Sequence, residues 1–214
     1  MRETNKFFVS NEYVKLEAEF YQSSQKQSPA VLVLHPHPDF GGTMHNNVVS
    51  AIFNKFTNEK ITCLRFNFSG VGNSRRIKSG KDDRIYEVQT CIDFLLDDNG
   101  IDKILICGYS YGAAVGCSAV NYSEKILGFI AVSFPFDLMG KKYKKLSQTN
   151  KPKYFIQGGR DDVARAQNFK THYEEYDEPK EFVIINGADH FYRGYEDEIA
   201  RVVMSFYQKL TASS

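Results

Sequence analysis

The 214-residue sequence contains no tryptophan and no run of about 18 apolar residues, the length that crosses a bilayer. It carries almost no net charge, since 27 basic and 26 acidic residues leave +1. No global field is therefore available to draw the chain to nucleic acid or into an anionic membrane. Cysteine is scarce. Cys63, Cys91, Cys107 and Cys117 show no C-x-x-C spacing and fall within apolar segments, so they read as buried free thiols in a reducing, cytoplasmic compartment. The first twenty residues have no apolar core ahead of a small-residue cleavage site and include acidic residues, so no secretory or transit peptide is expected. No internal repeat stands out, and the one linker-like stretch is Gln22 to Pro29. Apolar residues at 42% and charged residues at 25% are ordinary for a globular protein, and one domain over residues 1–214 is expected.

The strand candidates come next. Tyr13 to Phe20 alternates apolar and polar residues, as a half-exposed strand near an edge does. AVLVL (30–34), ITCLRF (61–66), KILIC (103–107), ILGFIAV (126–132), KYFIQ (153–157) and EFVII (181–185) are near-continuous apolar runs, which suit parallel strands covered on both faces. Helical spacing links Val48, Val49, Ile52, Phe53 and Phe56, then Ile85, Val88, Cys91, Ile92 and Leu95, then Ile199, Val202, Val203, Phe206 and Leu210. Asn99-Gly100 supplies a stop for the second. The alternation predicts an α/β fold, a mostly parallel, doubly wound sheet with helices on both faces. Ligands of such sheets bind beyond the carboxyl ends of the strands, so chemistry belongs in the loops there.

Directly after KILIC stands Gly108-Tyr109-Ser110-Tyr111-Gly112, followed by small helix-forming residues. Gly-x-Ser-x-Gly alone is a weak signal, but strand, sharp turn and helix are the setting that lifts a serine Oγ out at a sheet edge. A phosphate loop would want lysine after the second glycine, where Ala113 stands. Ser110 is therefore the candidate nucleophile, and it needs a base within hydrogen-bond reach.

Here the chain resembles the α/β-hydrolase superfamily, whose acid and histidine follow the serine along the chain, each after a different strand. After KYFIQ, Gly158-Gly159-Arg160-Asp161-Asp162-Val163 is similar to that family's acid turn. After EFVII, Asn186-Gly187-Ala188-Asp189-His190-Phe191 is similar to its histidine loop. The resemblance implies His190 as general base and Asp161 as the carboxylate that orients it, with Asp162 as the alternative acid and the start of the following helix. After AVLVL comes His35-Pro36-His37-Pro38-Asp39-Phe40-Gly41-Gly42-Thr43-Met44. Prolines lack N–H groups, so among residues 36–38 only His37 has a backbone donor. The resemblance implies that the His37 and Tyr111 N–H groups form an oxyanion hole. This motif resembles a small lidless branch near the dienelactone hydrolases. Arg65-Phe66-Asn67-Phe68-Ser69-Gly70-Val71-Gly72-Asn73-Ser74 is similar to the family's next turn, with Ser69 in place of its usual arginine. A buried ion pair built on that arginine is therefore absent.

The function expected from this set is a serine hydrolase that cleaves an ester, thioester or related acyl bond of a small-molecule substrate, with no cofactor. Two other readings stay open. One is a hydrolase-fold scaffold or binding protein without turnover. The other is a metal-dependent hydrolase using His35 and His37, since imidazoles two apart on an extended segment can face one ion. His35-x-His37-x-Asp39 resembles the opening of the dinuclear site of metallo-β-lactamase-fold hydrolases, but that pattern wants another histidine where Phe40 stands. The twenty residues from Ser133 to Pro152 leave room for one short helix but no lid. Phe40, Met44, Phe134 and Phe136 are expected to line a shallow acyl pocket suited to short or medium chains. The basic run Lys141 to Lys145 is offset by the acidic stretch Glu174 to Glu178 and is expected to be solvated.

Overall fold

A computed structural model describes residues 5–24, 29–81 and 83–212. Residues 25–28 of the expected linker lie outside the described residues. Nine strands form one sheet in the order β1-β2-β4-β3-β6-β7-β8-β9, with the short β5 (Arg75–Arg76) paired to β2. Six strands run parallel: β4 (Cys63–Phe66), β3 (Ala30–Leu34), β6 (Ile104–Tyr109), β7 (Ile126–Val132), β8 (Lys153–Gly158) and β9 (Lys180–Ile185). β2 (Val14–Tyr21) joins β4 antiparallel, and β1 (Asn5–Ser10) makes the outer edge.

The period of two in each strand divides the interior into two layers. Leu32, Leu34, Ile104 and Ile106 face one core with Val88, Cys91 and Ile92 of α2 (Arg84–Asp93) and with α3 (Tyr111–Cys117). Val31, Val33, Leu105 and Cys107 face the other, against α1 (Asn47–Asn58) and α6 (Glu196–Ala212). All four cysteines are buried and free. Burial on both faces explains why β3, β6, β7 and β8 read as unbroken apolar runs, whereas β9, expected to be covered in the same way, is an edge strand with Glu181 and Phe182 exposed. Between β7 and β8 the chain makes α4 (Phe136–Leu146), kinked at Gly140, and no further domain. Among the described residues, this connection adds no lid over the carboxyl ends of the strands. Among the described residues, no helix is long and apolar enough to cross a membrane.

One local expectation is corrected, and two others gain detail. The helix after the acid turn, α5 (Ala166–Glu174), begins at Ala166 and not at Asp162. α2 ends in a π turn at Phe94–Asp98, closed by Asn99 Nδ2 donating to the Phe94 carbonyl at 2.8 Å. A half-buried ion pair lies at the 67–74 turn, built not on a residue of the turn but on Arg84 of α2. Arg84 donates to the Ser69 carbonyl at 2.7 Å and to the fully buried Glu87 at 2.9 Å, and Glu87 also accepts the Ser69 amide.

Candidate active site

Ser110 caps β6 with φ 55° and ψ −120°, a left-handed conformation that costs a non-glycine residue free energy. The two glycines around it permit close approach. A Cβ on Gly108 would lie 2.2 Å from the Gly112 carbonyl oxygen, and one on Gly112 would lie 2.6 Å from the carbonyl oxygens of Leu34 and His35. The elbow thus seats the start of α3 against the end of β3.

Ser110 Oγ lies 2.9 Å from His190 Nε2. On the ring's other side, Nδ1 lies 2.9 Å from Asp161 Oδ2 and 3.1 Å from Oδ1. All three side chains are buried. The expected nucleophile, base and acid, each from the end of a different strand, therefore stand in one hydrogen-bonded line. Asp162 is exposed and outside it.

Asp161 does more than meet the imidazole. Its Oδ1 accepts the amides of Val163 (3.0 Å) and Ala164 (2.7 Å), capping the turn that was expected to belong to Asp162. Its Oδ2 accepts the Ser133 hydroxyl at 2.6 Å. Burial alone would push this carboxyl up. The hydrogen bond and charge of His190, the Ser133 hydroxyl and the Ala164 amide outweigh it and hold the carboxyl below its ordinary value. The Tyr109 hydroxyl donates to the His190 carbonyl and fixes the loop of the base.

On the opposite side, His37 opens a turn of 3₁₀ helix at Pro38–Phe40, its Nδ1 accepting the Asp39 amide at 3.2 Å. Its ring meets that of Tyr111 edge-on at 4.5 Å. Among the described residues, neither the His37 nor the Tyr111 backbone N–H donates to a protein acceptor. Arg65, paired with Glu19, anchors this loop by donating to the Met44 carbonyl at 3.0 Å.

The expected acyl pocket is only partly realised. Phe40 is 88% exposed, but Met44 (1%), Phe134 (2%) and Phe136 (6%) are packed inside. Phe134 and Phe136 stack on each other at 4.3 Å and join the core with Phe155 and Tyr176. Phe191, next to the base, is exposed at 55% and was missed. Its position beside His190 was the available signal. Ser133 and Tyr192 were missed too, although Ser133 directly follows an apolar strand.

His35 is fully buried and has no lone pair to offer a metal ion. Its Nε2 accepts the Phe68 amide at 3.0 Å, so Nδ1 carries the proton and donates to the Pro36 carbonyl at 2.6 Å. Among the described residues, no three His, Cys, Asp or Glu side chains gather to hold an ion. The metal alternative thus loses its first ligand. Burial, aided by the nearby charges of Arg84 and His37, pulls the His35 pKa from 6.5 down to about 4. A depressed histidine stabilises the fold fully above its unfolded value and loses that contribution as pH falls through about 4. The loss should amount to about 3 kcal/mol. Urea unfolding at pH 7 and pH 4 should show it, and His35→Gln should flatten the dependence by about one proton.

The comparisons bear on the fold and the family. A family model described as an alpha/beta hydrolase domain matches residues 29–201. An uncharacterized protein of Rickettsia prowazekii is 28% identical over 199 residues, covering 90% of this chain and 84% of its own. Among solved structures, an alpha-beta serine hydrolase homologue from Coxiella burnetii is 26% identical, with a TM-score of 0.82 and coverage of 95% of this chain and 96% of its own. A lidless a/b serine hydrolase from Xanthomonas campestris shares the fold at 21% identity, TM-score 0.76, covering 94% and 95%. The chain described here belongs to the alpha/beta hydrolase family.

Proposed function

We propose that the protein is a carboxylesterase-like serine hydrolase, acting on an ester, thioester or related acyl bond through an acyl-enzyme. The observation that carries this is the unbroken line Ser110 Oγ, His190 Nε2, His190 Nδ1, Asp161. His190 takes the proton of Ser110 as Oγ adds to the substrate carbonyl carbon. The His37 and Tyr111 amides donate to the oxyanion that forms. His190 then returns the proton to the leaving group, and water, activated by the same ring, releases the acid. These steps need no cofactor. The substrate is a small acyl compound met in solution, because the site has no lid and its exposed apolar neighbours are Phe40 and Phe191. The buried, free cysteines support a reducing, cytoplasmic setting.

A fluorophosphonate tests this reading, since it labels a base-activated serine. The wild type should be labelled and Ser110→Ala should not, with p-nitrophenyl esters turned over fastest at short chain lengths and without interfacial activation. Equal labelling of both proteins would refute the nucleophile.

A further inference from the structure

Ser133 sits where β7 ends, between the strands that carry Ser110 and Asp161. It is fully buried, with φ 47°, and its amide donates to the Ile156 carbonyl at 2.8 Å. Its Oγ lies 2.6 Å from Asp161 Oδ2 and 2.6 Å from the Tyr192 hydroxyl. Tyr192 is also fully buried and also left-handed, with φ 53°, two residues beyond His190. Two non-glycine residues held at positive φ, with their hydroxyls chained onto one carboxylate, carry a backbone strain that the chain sustains here.

The proton positions follow from chemistry. A carboxylate only accepts, and serine has one hydroxyl proton, so Ser133 donates to Asp161 and Tyr192 donates to Ser133. We infer that Ser133 and Tyr192 are positioning residues, a two-step hydroxyl relay that fixes the Asp161 carboxylate against His190. The inference rests on the hydrolase reading above. The relay ties the loops after β7, β8 and β9 into one unit, so the acid is held by the loop of the base as well as by its own. It also draws electron density from Oδ2, the oxygen nearer Nδ1. Without it the carboxylate would turn more freely and pull harder on the imidazolium.

The titratable groups facing the pair are the phenols of Tyr109 and Tyr192, both raised far above neutrality by burial. They keep their protons throughout the test. The charges of Arg160, Asp162 and Asp189 lie on the same loops and are exposed.

The test compares full-length wild type, Ser133→Ala and Tyr192→Phe. It measures kcat and KM for p-nitrophenyl acetate across pH, and follows the His190 imidazole titration by NMR. Ser133→Ala should lower kcat about tenfold with KM nearly unchanged. It should move the acid limb and the imidazole midpoint upward by roughly half a pH unit. Tyr192→Phe should shift both in the same direction by less. If both variants lose thermal stability but keep the wild-type pH profile and imidazole midpoint, the hydroxyls are merely structural and the inference fails. Should Ser133→Ala not fold, Tyr192→Phe, which keeps the ring in place, decides alone. An inactive wild type would defeat the hydrolase reading, and the imidazole titration would still decide the relay.

Discussion

Asp161→Asn should lower kcat by about 10⁴-fold, while Asp162→Asn should leave it within a few-fold. The asymmetry between adjacent aspartates is structural. Asp161 meets His190 Nδ1 at 2.9 Å and Asp162 is exposed outside the line. An amide at 161 cannot stabilise the imidazolium and can present its NH₂ to Nδ1, turning the ring toward the wrong tautomer. It also leaves fewer acceptors for Ser133, Val163 and Ala164, so a loss of about 1–3 kcal/mol in stability should accompany the kinetic defect. Asp162→Asn should stay within about 0.5 kcal/mol, as a surface change does. Steady-state kinetics and thermal melts on both proteins check the pair. Reversed effects would place the acid one residue along.

His37→Pro should cost about 10²–10³-fold in kcat, the usual effect of removing one oxyanion donor. A backbone donor cannot be deleted by ordinary side-chain replacement, but proline deletes it here with little distortion. His37 has φ −56°, close to the value a proline ring imposes, and its N–H binds no protein acceptor among the described residues. The ring must be separated from the amide. His37→Ala removes the cap on Asp39 and the contact with Tyr111 but keeps the N–H. It should therefore be far more active than His37→Pro. Equal losses would show that the ring, and not the amide, is what the reaction uses.

Much of this site was legible because each of its loops follows a strand that reads plainly. AVLVL, ILGFIAV and their neighbours are apolar on both faces, so their ends could be located, and Ser110, Asp161, His190 and His37 stand at four such ends. β1 was not legible. It is an edge strand whose Phe7, Phe8 and Val9 break the alternation, with Phe8 exposed over Lys15. Nor could the pocket be read, since an aromatic side chain on a loop has no period to say which way it points. Met44, Phe134 and Phe136 turn inward while Phe40 turns out, and tertiary packing alone decides between them. The ion pair of Arg84 with Glu87 escaped for a similar reason, because partners on a helix face supply a charge that one turn's sequence lacks.

Ser110 and His190 stand on unequal ground. β6, which leads to Ser110, is flanked by β3 and β7 in the middle of the sheet, whereas β9, which leads to His190, has only β8 beside it among the described residues. Edge elements open at lower free energy than central ones. A brief fraying of that rim would withdraw the imidazole while the serine stayed poised in its elbow. On the proposed reading, activity would then lapse without global unfolding and return as the strand closed again.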